Sequence, residues 1–372
     1  MNQVSGSRVS SADLLASAVA IDPGVTARTL ELWRNKGLLP HPERTGQDGA
    51  RPVWTYPAEA ATQLSALLEL RKSTKELHIL SAALWFEGFP VPTSRARSAI
   101  LTYLRSMRAE IETELAKLGA PEPDACDVST VRWQAIEAVA RRLAGKRGKN
   151  ALRVSRASLD ERTRAYALVI GLGLGEAGVT DRLTSDAPAF ERTIGLDRGR
   201  RFRPAGAEPW ISGLPEEGLA RFLEFGSLPR LLSALETATD EVLKAARASA
   251  RMVVDGIALF SQLADAFAGY SNATGMAAVG VLRGDPTIRI LSIAFIVSLT
   301  QDPVMRSNLG AIDTVLATSV LPVAAKLQAL AALPSGERAT KLPGIDALPW
   351  PQRRALERAV ESFQPDSGHT VE

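Results

Sequence analysis

Val25-Thr-Ala-Arg-Thr-Leu-Glu-Leu-Trp-Arg-Asn-Lys-Gly-Leu-Leu39 is the stretch around which the rest of the chain is read. Asp22-Pro23-Gly24 breaks the chain just before it, and Thr26 is suited to cap a new helix. Leu30 and Trp33 lie three apart and share a face, while Arg28, Glu31 and Arg34 fall on other sides. Gly37 is placed to end the helix, and Leu38-Leu39-Pro40 leads away from it. Upstream, Ser10 and Asp13 have capping-box spacing, and Leu14, Leu15, Ala18 and Val19 give a short apolar face. Two short helices joined by a Gly-bearing turn, the second basic near its start, describe a helix-turn-helix.

Working outward, Pro42 to Pro57 reads as a polar hairpin. Gln47-Asp48-Gly49 supplies the turn, and Val53, Trp54 and Tyr56 are strand-prone. A third helix follows, with Pro57 in its first turn and Leu64, Leu67, Leu68 and Arg71 along it. Ser73 and Glu76 suggest a second capping box opening a fourth helix through Leu77, Leu80 and Leu84, and Trp85-Phe86-Glu87-Gly88-Phe89-Pro90 closes the region with aromatics.

From about Ser10 to Leu84 this order resembles the MerR family of transcription regulators. The recognition helix of that family reads roughly V-[ST]-x-R-T-L-R-Y-Y-E-x-x-G-L-L. Val25, Thr26, Arg28, Thr29, Leu30, Gly37, Leu38 and Leu39 match it; Glu31, Leu32, Trp33 and Arg34 depart from it. The resemblance implies a winged helix-turn-helix, with Arg51, Trp54 and Tyr56 as the nearest equivalents of the family's wing residues and Tyr56-Pro57-Ala58-Glu59 matching its helix start. It also implies that Thr26, Arg28, Thr29, Trp33, Arg34, Arg51 and Tyr56 contact duplex DNA, with Trp33 equally assignable to the core. Glu31 puts an acid where the family has a basic residue. That substitution lowers affinity, accepts a cytosine amino group, or marks a lost DNA contact.

From Thr93 to Leu118 runs a long helical pattern. Ile100, Leu104, Met107, Ile111 and Leu118 alternate four and three apart, the seam of a coiled coil. MerR-type regulators dimerise through a helix in this position; the same stripe also fits packing on later helices of this chain. Residues 119–129 form a Pro- and Asp-rich linker. Seven basic residues between Arg141 and Arg156 (Arg141, Arg142, Lys146, Arg147, Lys149, Arg153, Arg156) are uninterrupted by acids, which fits either a phosphate patch or a solvated connector. Arg198, Arg200, Arg201 and Arg203 make a smaller basic loop.

Gly173-Leu-Gly175-Glu-Ala-Gly178 matches the dinucleotide fingerprint. That motif needs a strand before it, whereas Ser158 and Glu161 make a capping box and Tyr166, Val169 and Ile170 continue at helical spacing. A helix end is the better account. Asp285-Pro286 and Asp302-Pro303 each pair an N-cap with Pro at the first helical position. Ile288 to Leu299 is β-branched, yet its length and flanking caps favour a buried helix. A Pro/Gly-rich break at 336–351 precedes a terminal helix from Gln352 to Phe363.

Composition bounds the rest. At 372 residues, several domains are expected. These are a tail (1–9), a DNA-binding domain (10–92), a long helix (93–118), the linker (119–129), a helical domain (130–335), a second linker (336–351) and a terminal helix and tail (352–372). Hydrophobic residues make up 45% and charged residues 23%, ordinary for a soluble protein. A net charge of +3 does not by itself point to nucleic acid. The single cysteine, Cys126, excludes an internal disulfide and a thiolate cage within one chain. His41, His78 and His369 lack metal-ligand spacing, and nothing resembles a nucleophile elbow, a P-loop or an HExxH helix. No catalytic residue, metal or cofactor is expected. No signal peptide is read at the N-terminus, and the most apolar run, Ile290 to Leu299, is about half the length of a membrane helix. A cytoplasmic location without membrane association is expected.

The fold class expected is mainly α, with a small β wing, a long connecting helix and an all-helical C-terminal domain. The function expected is a regulator binding duplex DNA as a dimer, with a C-terminal domain that senses a small-molecule effector or contacts another protein. The alternative is a protein-interaction or scaffold protein that keeps the winged-helix fold without reading DNA.

Overall fold

A short strand, β1 (Val9–Ser10), turns directly into α1 (Ser11–Ile21) because Ser10 serves both. Its hydroxyl accepts the Asp13 amide at 3.1 Å and donates to the Asp13 carboxylate at 2.7 Å. The computed structural model describes residues 8–48, 51–120, 129–145, 157–176, 224–268 and 286–331, with scattered positions from 179 to 193. It is mainly helical, with one small antiparallel sheet.

After α1, the Asp22 carboxylate accepts the Gly24 amide at 3.0 Å and shapes the turn. Helix α2 (Ala27–Asn35) follows, capped by Thr26. It ends where Gly37 adopts a φ of 63°, with Leu38 N–H bonded back to the Trp33 carbonyl and Gly37 N–H to that of Arg34, both at 2.8 Å. The chain then forms β2 (Glu43–Asp48) and β3 (Arg51–Tyr56), antiparallel, with a bulge between Arg44 and Gly46. β1 pairs with the other edge of β3, giving the order β1-β3-β2.

Helices α3 (Glu59–Arg71) and α4 (Leu77–Phe86) cover this unit. Leu14, Leu30, Trp33, Leu38, Leu64, Leu67, Leu80 and Leu84 are all buried in one apolar core. The buried Gln63 side chain donates to the Leu38 carbonyl at 2.8 Å, tying α3 to the end of α2. The expected Ser73–Glu76 capping box does not form. Thr74 instead accepts the Glu76 amide at 3.2 Å, so Glu76 becomes the N-cap and makes no side-chain cap bond.

Helix α5 (Thr93–Lys117) is the spine joining the two halves of the chain. Ile100 and Leu104 are fully buried in the same core as the N-terminal unit, together with residues of α8 (Leu228–Thr237), α9 (Asp240–Ala268) and α10 (Pro286–Thr300). Within the single chain the stripe follows the packing alternative read from the sequence. Ile100 and Leu104 are covered by the chain's own helices, Met107 and Ile111 pack against that core, and only Leu118 of the five is exposed. A seam of period 3.5 identifies an apolar face but not what covers it. Arg97–Asp240 at 2.7 Å, Arg105–Glu236 at 2.6 Å and Arg289–Glu87 fasten the same junction. Trp85 and Phe86 are buried in it, and the Arg247 guanidinium lies 4.8 Å from the Trp85 ring. The core thus continues across residue 92, where a domain boundary is expected from the sequence.

A second cluster joins Leu115 at the end of α5 to α6 (Ser129–Gly145) and α7 (Leu159–Leu174). Gly171 makes the close approach possible: a Cβ there would lie 2.4 Å from the Trp133 ring. Arg132 is buried between Glu176 at 2.5 Å and Glu112 at 3.0 Å, which hold its guanidinium charged against the cost of burial. Arg141 pairs with Asp160 and Arg142 with Glu114. The first two cations of the basic run are thus neutralised within the fold, and its remainder lies outside the described residues.

Ser158 and Glu161 form the expected capping box. Gly173 lies within α7 and Gly175 is its left-handed cap, so the first two glycines of the motif close a helix rather than follow a strand, and Gly178 lies outside the described residues. Ile288 to Leu299 is helical, within α10. Asp302 caps α11 (Pro303–Val315), accepting the amides of Val304 and Met305 at 2.9 and 3.1 Å. A five-residue π-helical stretch, Leu316–Val320, carries it into α12 (Leu321–Ala331). The run Pro303–Leu327 is long and apolar enough to cross a membrane by length and composition. That is longer than the run the sequence singles out, because α11, the π stretch and α12 join end to end. Its Asp313 accepts a hydrogen bond from Ser249 of α9. Cys126, His369, the 198–203 loop, Asp285 and the expected terminal helix lie outside the described residues.

Candidate nucleic-acid interface

Helix α2 is nine residues long, and its burial pattern divides it cleanly. Leu30 and Trp33 face inward; Ala27, Arg28, Glu31, Leu32 and Asn35 face solvent. Trp33 is 0% exposed and stacks under the Arg71 guanidinium of α3, 4.9 Å from the ring centre. This contact and the Gln63–Leu38 bond hold α2 against α3, so the exposed face has a fixed orientation.

At the start of α2, Thr26 and Thr29 cap each other. Thr29 N–H donates to Thr26 Oγ1 at 3.2 Å, Thr26 N–H to Thr29 Oγ1 at 3.4 Å, and the hydroxyls lie 2.9 Å apart. Thr in place of the usual Glu leaves this reciprocal cap uncharged. Arg28 sits in the same turn, exposed and with no carboxylate partner among the described residues. Arg34 is only partly exposed and lies 3.5 Å from the exposed Glu31 one turn earlier, so those two charges offset each other. Helix start, two hydroxyls and a free guanidinium form a turn suited to an anionic partner.

Of the seven residues singled out from the sequence, Thr26, Arg28, Thr29 and Arg34 lie together on α2. Trp33 does not belong to that surface. Neither does Tyr56, which is 3% exposed at the base of β3, where it pairs with Val9 of β1. Both rings lie in the core beneath that surface, which for Trp33 is the core alternative read from the sequence. Arg51 opens β3 opposite Asp48.

The hairpin carries two candidates of its own. Arg44 of β2 and Trp54 of β3 are direct cross-strand partners, so their side chains stand on one face of the sheet. Arg44 is exposed and Trp54 is 49% exposed, a large ring in water beside a cation. Thr45, at the bulge, receives a 3.2 Å hydrogen bond from Thr55. The strand-prone Val-Trp-Thr-Tyr run signals Trp54, whereas Arg44 gives no signal, because its face depends on the bulge.

No protein-family model, curated protein or solved structure matches the chain.

The chemistry of this surface follows from its groups. The first turn of α2 offers a guanidinium and two hydroxyls, groups that bond phosphate oxygens and base edges. Arg44 offers a second cation at the hairpin, and Trp54 a flat apolar face for stacking.

Proposed function

We propose that the chain is a DNA-binding transcription regulator of MerR-like, winged helix-turn-helix type, acting by binding rather than by catalysis. In this reading α1 and α2 are the helix-turn-helix, the β2–β3 hairpin is the wing, and the helices from α5 onward sense an effector or contact another protein. The observation that carries it is the division of α2. Leu30 and Trp33 are locked into the core while Thr26, Arg28 and Thr29 are left at its solvent-facing start. A recognition helix needs that arrangement, because base edges are read by residues at the N-terminal end of the inserted helix.

The roles divide by position. Arg28 reads a base edge or clamps a phosphate, Thr26 and Thr29 bond phosphates, and Arg44 and Arg51 bind the backbone from the wing. The Glu31–Arg34 pair presents little net charge, so the first turn supplies most of the electrostatic attraction from α2. Retardation of duplex DNA tests this directly. Binding is expected to weaken steeply with salt, Arg28→Ala to reduce discrimination between sequences, and Arg44→Ala to weaken all duplexes alike.

A second reading is favoured by one observation. Trp54, a large ring, is 49% exposed on the hairpin, and tryptophan is among the residues that most often anchor protein contacts. A scaffold protein using the hairpin against a protein partner would lose binding with Trp54→Ala and keep it with Arg28→Ala.

A further inference from the structure

A groove of about 550 Å³ lies between the C-terminal end of α2 and the paired helices α4 and α5. Lys36 is about 15 Å along the helix from Thr26, at a rise of about 1.5 Å per residue, so this groove sits at the opposite end of α2 from its exposed first turn. Lys36, His78, Ser81, Ser94, Arg95 and Ser98 give it polar walls, and no carboxylate is among its described lining residues.

Three features make the groove receptive to an anion. Lys36 and Arg95 have no carboxylate partner among the described residues. Ser81 is 4% exposed, and its hydroxyl has no hydrogen-bond partner among the described residues. Helical hydroxyls usually bond a carbonyl one turn back, as Thr102 does to Ser98 at 2.8 Å; an unpaired buried hydroxyl is rare and calls for a partner. Finally, Ser94 and Arg95 lie in the first turn of the 25-residue α5, where Pro92 provides no side-chain cap, so the positive end of that helix is open.

Arg95 also connects the groove to α2. Its guanidinium rests on the backbone of Gly37: a Cβ at Gly37 would lie 1.7 Å from Arg95 Nη1 and 2.9 Å from its Cζ. The cation thus covers the turn that ends α2, where the helix carbonyls carry negative partial charge.

We infer that this groove binds the phosphoryl or carboxylate group of a small molecule. Lys36 and Arg95 clamp the anion, and Ser81 and Ser98 donate hydroxyl hydrogen bonds to it. Occupancy draws Arg95 toward the ligand and away from Gly37, which makes the end of α2 responsive to the bound anion. Binding here asks nothing of the solvent face of α2 and is measurable without DNA.

The test is isothermal titration of the full-length protein with inorganic phosphate, glycerol phosphate and succinate, at ionic strength held constant with chloride. Saturable one-to-one binding of at least one probe is expected, and the order of the three tells a phosphoryl from a carboxylate ligand. The Lys36→Gln, Arg95→Gln pair is expected to weaken that binding by at least about tenfold, the loss of a charge-assisted hydrogen bond. Ser98→Asp, at an exposed position that keeps both cations, is expected to weaken it comparably by introducing a like charge. No saturable binding of any probe would overturn the inference, as would affinity unchanged in both variants. So would displacement of the bound probe by duplex DNA, which would make the groove a nucleic-acid contact.

Discussion

Gly37→Ala probes the joint between α2 and α5, and its cost can be worked out from two separate terms. The first is backbone conformation. At a φ of 63° an L-residue with a Cβ costs about 1–2 kcal/mol, offset by about 0.4–1 kcal/mol because alanine restricts the unfolded chain. The second is Arg95. With a Cβ at 1.7 Å from Nη1 the guanidinium must leave, forfeiting about 0.3–1 kcal/mol of attraction to the helix end. The sum is about 0.3–2.6 kcal/mol, and only the backbone part survives once Arg95 is gone. Hydrogen exchange of the Leu30 and Trp33 amides reads the opening free energy at α2 itself, without requiring the whole chain to unfold in one step. Gly37→Ala is expected to lower protection at these amides, and to lower it less in an Arg95→Ala background. Equal losses in both backgrounds would refute a contact between Arg95 and the helix end. No loss at all would refute the left-handed cap.

Two further outcomes follow from contacts elsewhere in the fold. Trp33→Ala removes a fully buried ring and is expected to cost about 3–5 kcal/mol in urea denaturation, while Trp33→Phe keeps both the fold and whatever α2 binds. A stable Trp33→Ala protein that had lost only its binding would return the ring to the interface. The Glu161 carboxyl is held below its ordinary range, chiefly by the Ser158 backbone amide and then by its hydroxyl and by Arg192 and Arg164. A depressed carboxylate contributes stability that is present above its unfolded pKa and lost as the pH falls through its folded value. Glu161→Gln is therefore expected to flatten the acid side of the stability curve measured between about pH 5 and pH 2. An identical curve would exclude the contribution.

What could be read from the sequence was mostly what a few neighbouring residues settle among themselves. The caps at Ser10, Thr26, Ser158 and Asp302 are bonds between a side chain and an amide two or three positions on, so spacing is enough to find them. Ser73–Glu76 shows the limit, since Thr74 competed for the same amide and won. Partners distant in sequence were beyond reach. The α5 stripe has the right period for a dimer, yet Ile100 and Leu104 are covered by helices more than a hundred residues later, and period does not identify the covering surface. At the interface, Trp54 and Tyr56 share one face of β3, but Tyr56 sits over the core and Trp54 beyond its edge. That difference depends on where the sheet leaves the core, which alternation does not encode.

The most direct test of the central proposal is the affinity of the purified protein for duplex DNA, measured from about 50 to about 200 mM salt. A recognition helix led by Arg28 predicts binding at low salt, a linear fall of log affinity with log salt, and a shallower slope in Arg44→Ala. Absence of binding at the lowest salt, or binding indifferent to salt and to Arg28→Ala, would contradict it.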